Sequence, residues 1–357
     1  MHKRLFIPGP VDVREDVLAK MATPQIGHRS KEATALQESI SKNLQKLMFT
    51  ENDIILSTSS GSGIMEMAIR CLTTKRAAVF SVGAFGDRWF DMAEANGVPA
   101  DKFKSEPGKA TTPEMVEEAL ATGKYDLVTV THNETSVGIM NPVAEIAKVV
   151  AKYPDVFFCV DAVSSLGGVK IPADEWGIDM LITSTQKCLG LPAGLSVASV
   201  SDRAYERAKT VKNRGLYLDL VSVVEKARKN YQYPSTPAIP HMFALDYQLD
   251  YILNVEGMEN RFARHLEMAK TTRDFAKKYF ALYADENYLS NTLTTIKNTR
   301  EYSVADLNKA LAEKGFMISN GYGDLKEKTF RIAHMADTKP ETLQELLSTI
   351  EAIWNLN

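Results

Sequence analysis

Ser184-Thr185-Gln186-Lys187-Cys188-Leu189-Gly190 follows the apolar run Met180-Leu181-Ile182 and leads into the turn Leu191-Pro192-Ala193-Gly194. The apolar run reads as a buried strand, so Lys187 stands just past a strand end, at the edge of a core. Desolvation there disfavours an ammonium, and a lysine amine shifts readily; once neutral, it can form a Schiff base. Taken alone, a lysine on an exposed loop is the commoner case. What the rest of the chain places beside Lys187 decides between the two.

Outward from this stretch, apolar runs alternate with helical periods. Asp53 to Leu56, Ala77 to Val82, Val98 to Phe103, Leu127 to Thr131, Val156 to Val160, Met180 to Thr183 and Leu195 to Val200 read as strands. Helical stretches stand between them at Ile64 to Leu72, Gly86 to Asn96, Pro113 to Ala121 and Val143 to Lys152. Such alternation predicts an α/β fold with a large, mostly parallel sheet of seven strands sandwiched by helices. Helices at Arg14 to Met21 and Ser30 to Phe49 precede it, behind an extended arm over residues 1–13 in which Pro8 and Pro10 bar helix.

From about Gly257 the texture changes to a charged helix, Met258 to Phe280, then strands at Thr292 to Lys297 and Phe330 to Ala333 and helices at Val304 to Lys314 and Pro340 to Trp354. The chain is therefore expected to form a large domain over 14–255 and a smaller α+β C-terminal domain over 256–357.

The 357 residues suffice for one large core and a smaller appended one. A net charge of -3 gives no reason to expect nucleic acid or an anionic membrane as partner. No window approaches the roughly 18 apolar residues of a membrane span, and the first ten residues lack a signal-peptide core. Cys71, Cys159 and Cys188 lie in apolar contexts and cannot build a disulfide framework, so a cytoplasmic location is expected. No metal site is expected.

Four further features carry chemistry. Ser59-Ser60-Gly61-Ser62-Gly63 joins a strand to a helix, and glycines, hydroxyls and free helix-start amides together suit a phosphate. A plain capped loop is an equal alternative, and the stretch is neither the dinucleotide fingerprint nor the P-loop. Asp161 ends the apolar strand Phe157-Phe158-Cys159-Val160, where ligands bind in open α/β sheets. A buried carboxylate there needs a cation, which a pyridinium nitrogen would supply; a helix cap or an internal salt bridge would serve equally. Phe85, in Gly83-Ala84-Phe85-Gly86-Asp87-Arg88, stands at another strand-to-helix turn, suited to stacking on a planar ring or simply to the core. Thr131-His132-Asn133-Glu134-Thr135-Ser136 ends a further strand with many hydrogen-bonding groups, among which His132 reads somewhat better as structural than as catalytic.

With these residues in hand, the chain resembles the class V, fold-type I pyridoxal phosphate aminotransferases, in the alanine–glyoxylate / serine–pyruvate branch. The resemblance runs through Phe6-Ile7-Pro8-Gly9-Pro10, Gly27-His28-Arg29-Ser30-Lys31, Ser60-Gly61-Ser62-Gly63, Gly86-Asp87-Arg88 and Thr131-His132-Asn133-Glu134. It continues through Val160-Asp161-Ala162-Val163-Ser164-Ser165-Leu166-Gly167-Gly168, Ser184-Thr185-Gln186-Lys187, Tyr233-Pro234-Ser235-Thr236-Pro237 and Phe330-Arg331-Ile332-Ala333-His334-Met335.

The resemblance implies the cofactor pyridoxal 5'-phosphate, held as an aldimine by Lys187, with Asp161 on the pyridinium nitrogen. Phe85 would stack on the ring, where relatives often have tryptophan. Ser60, Gly61 and Ser62 would hold the phosphate, and Gln186 and Thr135 would add hydrogen bonds. Tyr233 and Thr236 would reach the cofactor phosphate of a neighbouring subunit, implying a homodimer with shared active sites. Arg331 would bind the substrate α-carboxylate, with Gly9, His28 and Arg29 also at the substrate. The implied reaction is ping-pong transfer of an amino group from a small amino acid, of alanine or serine type, to a 2-oxo acid such as glyoxylate or pyruvate.

Two departures bear on the substrate. The His28-Arg29-Ser30 run is similar to one in phosphoserine aminotransferases, linked there to an acidic group, so Arg29 opens the alternative of a phosphoserine or other acidic amino acid. Ala333 stands where relatives commonly have glycine. A cysteine desulfurase would need a cysteine on a mobile loop in the C-terminal part, and none follows Cys188. A binding protein on this fold would have no need of both Lys187 and Asp161.

Overall fold

The computed structural model describes residues 2–356. Met1 and Asn357, the end residues of the expected arm and C-terminal unit, lie outside the described residues. Its largest sheet has seven strands in the order Asp53–Ser57, Ser196–Val200, Met180–Ser184, Phe157–Asp161, Leu127–Thr131, Ala77–Ser81, Ala100–Lys104. Only Ser196–Val200 runs against the rest, pairing antiparallel with both neighbours. The expected mostly parallel seven-stranded sheet is therefore present.

Side chains alternate between two cores along each strand, as the pleat requires. Val128, Val130, Phe158, Val160 and Leu181 enter one core with Ile40 and Leu44 of the helix Lys31–Met48. Leu127, Phe157, Cys159, Met180 and Ile182 enter the other with Ile64, Met67 and Ala68 of the helix Gly61–Leu72. Both faces are covered, which is why these strands read as continuous apolar runs.

A second sheet of five strands runs Arg4–Phe6, Phe316–Asn320, Thr329–Ala333, Leu293–Lys297, Ala281–Leu282. Its apolar side packs with Phe275 of the helix Met258–Tyr279, Leu307 of Val304–Glu313 and Leu346 of Pro340–Trp354. The N-terminal arm, expected only as extended chain, enters this sheet, with Arg4 opposite Phe316 and Phe6 opposite Ile318 in parallel register. The arm then returns toward the first sheet, where the Val11 amide donates to the Gln186 carbonyl at 3.2 Å.

Three α-helices, Asp202–Thr210, Leu220–Asn230 and Ile239–Asp250, and the π-helical segment Tyr251–Glu256 lie between the last strand of the large sheet and Gly257. The helix expected from Ile64 starts three residues earlier, at Gly61, with Ser60 as its N-cap. This shift places Gly61 and Ser62 in the first turn, where backbone amides have no intrahelical acceptor.

Candidate active site

The strand pairing sets the geometry. Asp161 is the last residue of its strand, opposite Thr131 on one side and Ile182 on the other. Lys187 lies three residues beyond the end of the adjacent parallel strand, Met180–Ser184. Both thus emerge at the carboxyl edge of the sheet, where the helix Gly61–Leu72 also presents its start. One cleft is lined by Ser60, Gly61, Ser62, Phe85, Asp161 and Lys187, with Thr135 and Gln186 on its walls.

Asp161 is buried and has no ion-pair partner among the described residues. It accepts hydrogen bonds from the Val163 amide at 2.9 Å and, weakly, from the Thr131 hydroxyl at 3.5 Å. Burial pushes its carboxyl up to about 6, against the pull of Lys187. Burial likewise lowers the Lys187 amine to about 8, an effect to which the nearby Arg331 charge adds. The amine donates to the Pro8 carbonyl and stands 5.8 Å from the centroid of the Phe85 ring.

Gly9 makes room for that lysine. Its φ is +93°, and a Cβ there would stand 2.6 Å from Lys187 Cδ. Gly61 is equally constrained, since a Cβ would meet Val163 Cγ2 at 2.6 Å. Gln186 Oε1 accepts from the Ser184 hydroxyl at 2.6 Å. The Thr135 carbonyl accepts from Arg331 Nη1 at 3.0 Å, and Arg331 Nε reaches the Asn320 carbonyl at 3.1 Å. Arg331 has no carboxylate partner among the described residues, and burial lowers its guanidinium to about 10.

The remaining expected residues lie elsewhere in the chain. Arg29 donates to the carbonyls of Tyr233 at 2.5 Å and Pro234 at 2.7 Å, so it holds the loop that carries Tyr233 and Thr236. His28 is half-buried, Thr236 is exposed, and neither lines the cleft. Tyr233 is buried with an unpartnered hydroxyl, its ring edge-on to Tyr217 at 6.5 Å. His132 is structural: it is buried, hydrogen-bonded to the Ser165 hydroxyl at 2.9 Å, and lowered by burial to about 4.

Three contributors escaped the sequence reading. Asn133 lines the cleft with a buried, unpartnered Oδ1. Arg88 lines it one helical turn after Phe85, a spacing visible in Phe85-Gly86-Asp87-Arg88. Tyr322 places its ring 6.1 Å from that of Phe85 and 5.6 Å from Arg331 Cζ. No local signal marks Tyr322, because it meets Phe85 only through the loop that follows Phe316–Asn320 of the second sheet.

These residues fit pyridoxal phosphate. Asp161 is a buried anion awaiting a cationic nitrogen, Lys187 is an amine of lowered pKa, and the first turn from Gly61 offers free amides to a phosphate. Comparison with known proteins agrees. The family model described as aminotransferase class-V matches residues 15–326. An uncharacterized aminotransferase of Methanocaldococcus jannaschii is 38% identical, covering 98% of this chain and 92% of its own. The serine–glyoxylate aminotransferase of Methylorubrum extorquens is 31% identical, covering 94% of this chain and 87% of its own. The crystal structure of an alanine–glyoxylate aminotransferase from a Nostoc species superposes with a TM-score of 0.92 at 27% identity, covering 99% of this chain and 96% of that one. A match over most of its length, on a site built for an amine, a buried carboxylate and a phosphate, establishes that the chain belongs to the class-V aminotransferases, with pyridoxal phosphate as cofactor.

Proposed function

We propose that this enzyme transfers the amino group of a small, uncharged amino acid, of alanine or serine type, to a 2-oxo acid such as glyoxylate or pyruvate. The observation that carries the proposal is the pair at neighbouring strand ends: an amine lowered to about 8 and a carboxyl raised to about 6, facing one cleft. Bound there, pyridoxal phosphate supplies a sink for the electrons left when the substrate α-proton departs.

Lys187 anchors the cofactor through Nζ. With the amino acid in its place, the freed amine, whose pKa burial lowers to about 8, would take the α-proton from the substrate carbon and deliver it to the cofactor carbon across the nitrogen. Asp161 would hold a proton on the ring nitrogen, and Phe85 would cover the ring. Ser60, Gly61 and Ser62 would take the phosphate at the helix start, and Gln186 and Thr135 would add hydrogen bonds to the cofactor. Arg331 would take the α-carboxylate, for which a guanidinium held by two carbonyls and paired with no carboxylate among the described residues is suited. Gly9 lets the lysine stem pass.

Arg29 spends its donors on the carbonyls of Tyr233 and Pro234, which favours a donor without a distal acid. The relatives named for serine–glyoxylate and alanine–glyoxylate transfer support the same substrate class. We further propose a homodimer in the cytoplasm, with the loop of Tyr233 and Thr236 completing the partner's phosphate site. The three buried, unpaired cysteines suit a reducing compartment.

A half-reaction screen tests the reading. Single amino acids are added to the cofactor-loaded enzyme, and the visible band is followed as it converts to the aminated cofactor form. Alanine or serine should bleach it fastest; faster conversion with aspartate or phosphoserine would overturn the substrate assignment. Dilution to the monomer with undiminished cofactor affinity would overturn the shared site.

A further inference from the structure

The cleft places a cation at its phosphate end that no role above employs. Among the described residues that line it, only Lys187 and Arg88 carry positive charge, and Lys187 would be taken up by the cofactor's aldehyde. Arg88 Nη1 donates to the Ser62 hydroxyl at 3.3 Å, and its guanidinium stands 4.9 Å from the Phe85 ring centroid. It therefore touches one residue of the phosphate cradle and one residue of the ring stack at once.

Neighbouring carboxylates are engaged elsewhere. Asp87 pairs with Lys104 at 2.8 Å and Lys102 at 3.5 Å. Glu134 accepts from the amides of Phe85 at 2.9 Å and Gly86 at 3.0 Å, and Glu66 pairs with Arg70 at 3.7 Å. Arg88 itself forms no ion pair among the described residues. A half-buried arginine beside a cavity, with its counter-charge missing, points to an anionic ligand.

The electrostatics of the cradle call for such a group. Ser60, Gly61 and Ser62 are neutral, and so are Gln186, Tyr233 and Thr236. A phosphate monoester carries nearly two negative charges near neutral pH, more than the half-charge at a helix start offsets. We propose that Arg88 is a direct phosphate ligand of the cofactor and supplies the missing counter-charge. The proposal rests on the cofactor reading above. It also assigns Arg88 to the cofactor rather than to an acidic substrate side chain.

Comparing two ligands tests it without measuring turnover. Full-length cofactor-free wild type, Arg88→Met and Arg88→Lys are titrated with pyridoxal 5'-phosphate and, separately, with pyridoxal, which lacks the phosphate. Binding is followed by the visible absorbance of the lysine-bound form. Arg88→Met should weaken pyridoxal phosphate by roughly 10- to 100-fold and leave pyridoxal within about threefold of wild type. Arg88→Lys should recover most of the loss, and inorganic phosphate should compete less well in Arg88→Met than in wild type.

Equal weakening of both ligands would make Arg88 a structural residue and overturn the proposal. So would unchanged affinity for pyridoxal phosphate in Arg88→Met, or an Arg88→Lys that folds but recovers none of the loss. Failure of the wild type to bind either ligand would instead overturn the cofactor reading, so the two failures are distinct.

Discussion

At the residue scale the site is a pair of buried ionisable groups, each held away from its ordinary state. Lys187→Ala removes the amine from a cleft wall that packing on both sheet faces already defines, so the variant should fold. It should give no borohydride-reducible link to cofactor, measured by mass spectrometry of the reduced protein; a retained adduct would place the anchor elsewhere. Asp161 is held at about 6 against an ordinary 3.8, so the folded chain binds that proton more tightly than the unfolded one. Its stabilisation is full below pH 3.8 and is lost as pH rises through 6. Lys187 has the opposite sign: its amine falls to about 8 from 10.5, so stability is regained as pH rises from 8 towards 10.5. The cofactor-free protein should therefore show a stability minimum from this pair between pH 6 and 8. Asp161→Asn should raise its stability at pH 7 by roughly 2–3 kcal/mol, with no gain at pH 4, while weakening cofactor binding. Thermal melts at both pH values check this; destabilisation at pH 7 would contradict it. Lys187 and Asp161 are legible only as a pair, since each alone has a bland reading that is as common or commoner, and what singles them out is their place past the ends of two successive apolar runs. Arg29 is not legible, because its partners are carbonyls about 200 residues away, at Tyr233 and Pro234.

Elements were legible where their ends carry chemistry and obscure where their partners are distant. The helices Pro113–Ala121 and Pro340–Trp354 have the extents expected from their opening prolines and apolar spacing. The helix Asp202–Thr210 buries only Ala204 and Ala208, too thin a stripe to read. Leu220–Asn230 opens on Leu220-Val221-Ser222-Val223-Val224, a β-branched run that resembles a strand. Phe316–Asn320 lies between Thr329–Ala333 and Arg4–Phe6, and the latter pairing is made from the far end of the sequence. The start of Gly61–Leu72 is obscure in the sequence because glycine is a poor helix former, yet Gly61 is where the helix approaches Val163. Gly61→Ala should push Val163 aside, and the Val163 amide is the donor that fixes Asp161 Oδ1. A loss of about 1–3 kcal/mol in stability is expected, with weaker cofactor binding. Val163→Ala in the same chain should relieve it, and a double variant no better than Gly61→Ala would refute the contact as the cause.

Across the whole molecule, one arginine ties both sheets to the lysine turn. Arg261, on the helix Met258–Tyr279, is fully buried; its Nη1 bridges Glu256 at 2.6 Å and Asp337 at 2.7 Å. Asp337 follows the strand of Arg331, so that end of the second sheet is held to the helix. The other donors cross to the large sheet: Nε reaches the Gly167 carbonyl at 2.9 Å, and Nη2 the Cys188 carbonyl at 2.8 Å. Gly167 lies beyond Asp161 and Cys188 adjoins Lys187, so one planar fork fixes the backbone behind both ionisable residues. A buried cation with two anions is costly to assemble, but removing only the cation leaves Asp337 without an ion-pair partner and Glu256 with Arg264 alone, at 2.7 Å. Arg261→Ala should therefore lose on the order of 3–5 kcal/mol in chemical denaturation. Arg261→Lys keeps the charge but not the fork, and should regain only part of that loss. Neutralising the anions as well, with Glu256→Gln and Asp337→Asn beside Arg261→Met, should be less damaging than Arg261→Ala alone. If the triple variant is the least stable, the two anions are not what Arg261 compensates, and its carbonyl contacts carry the effect.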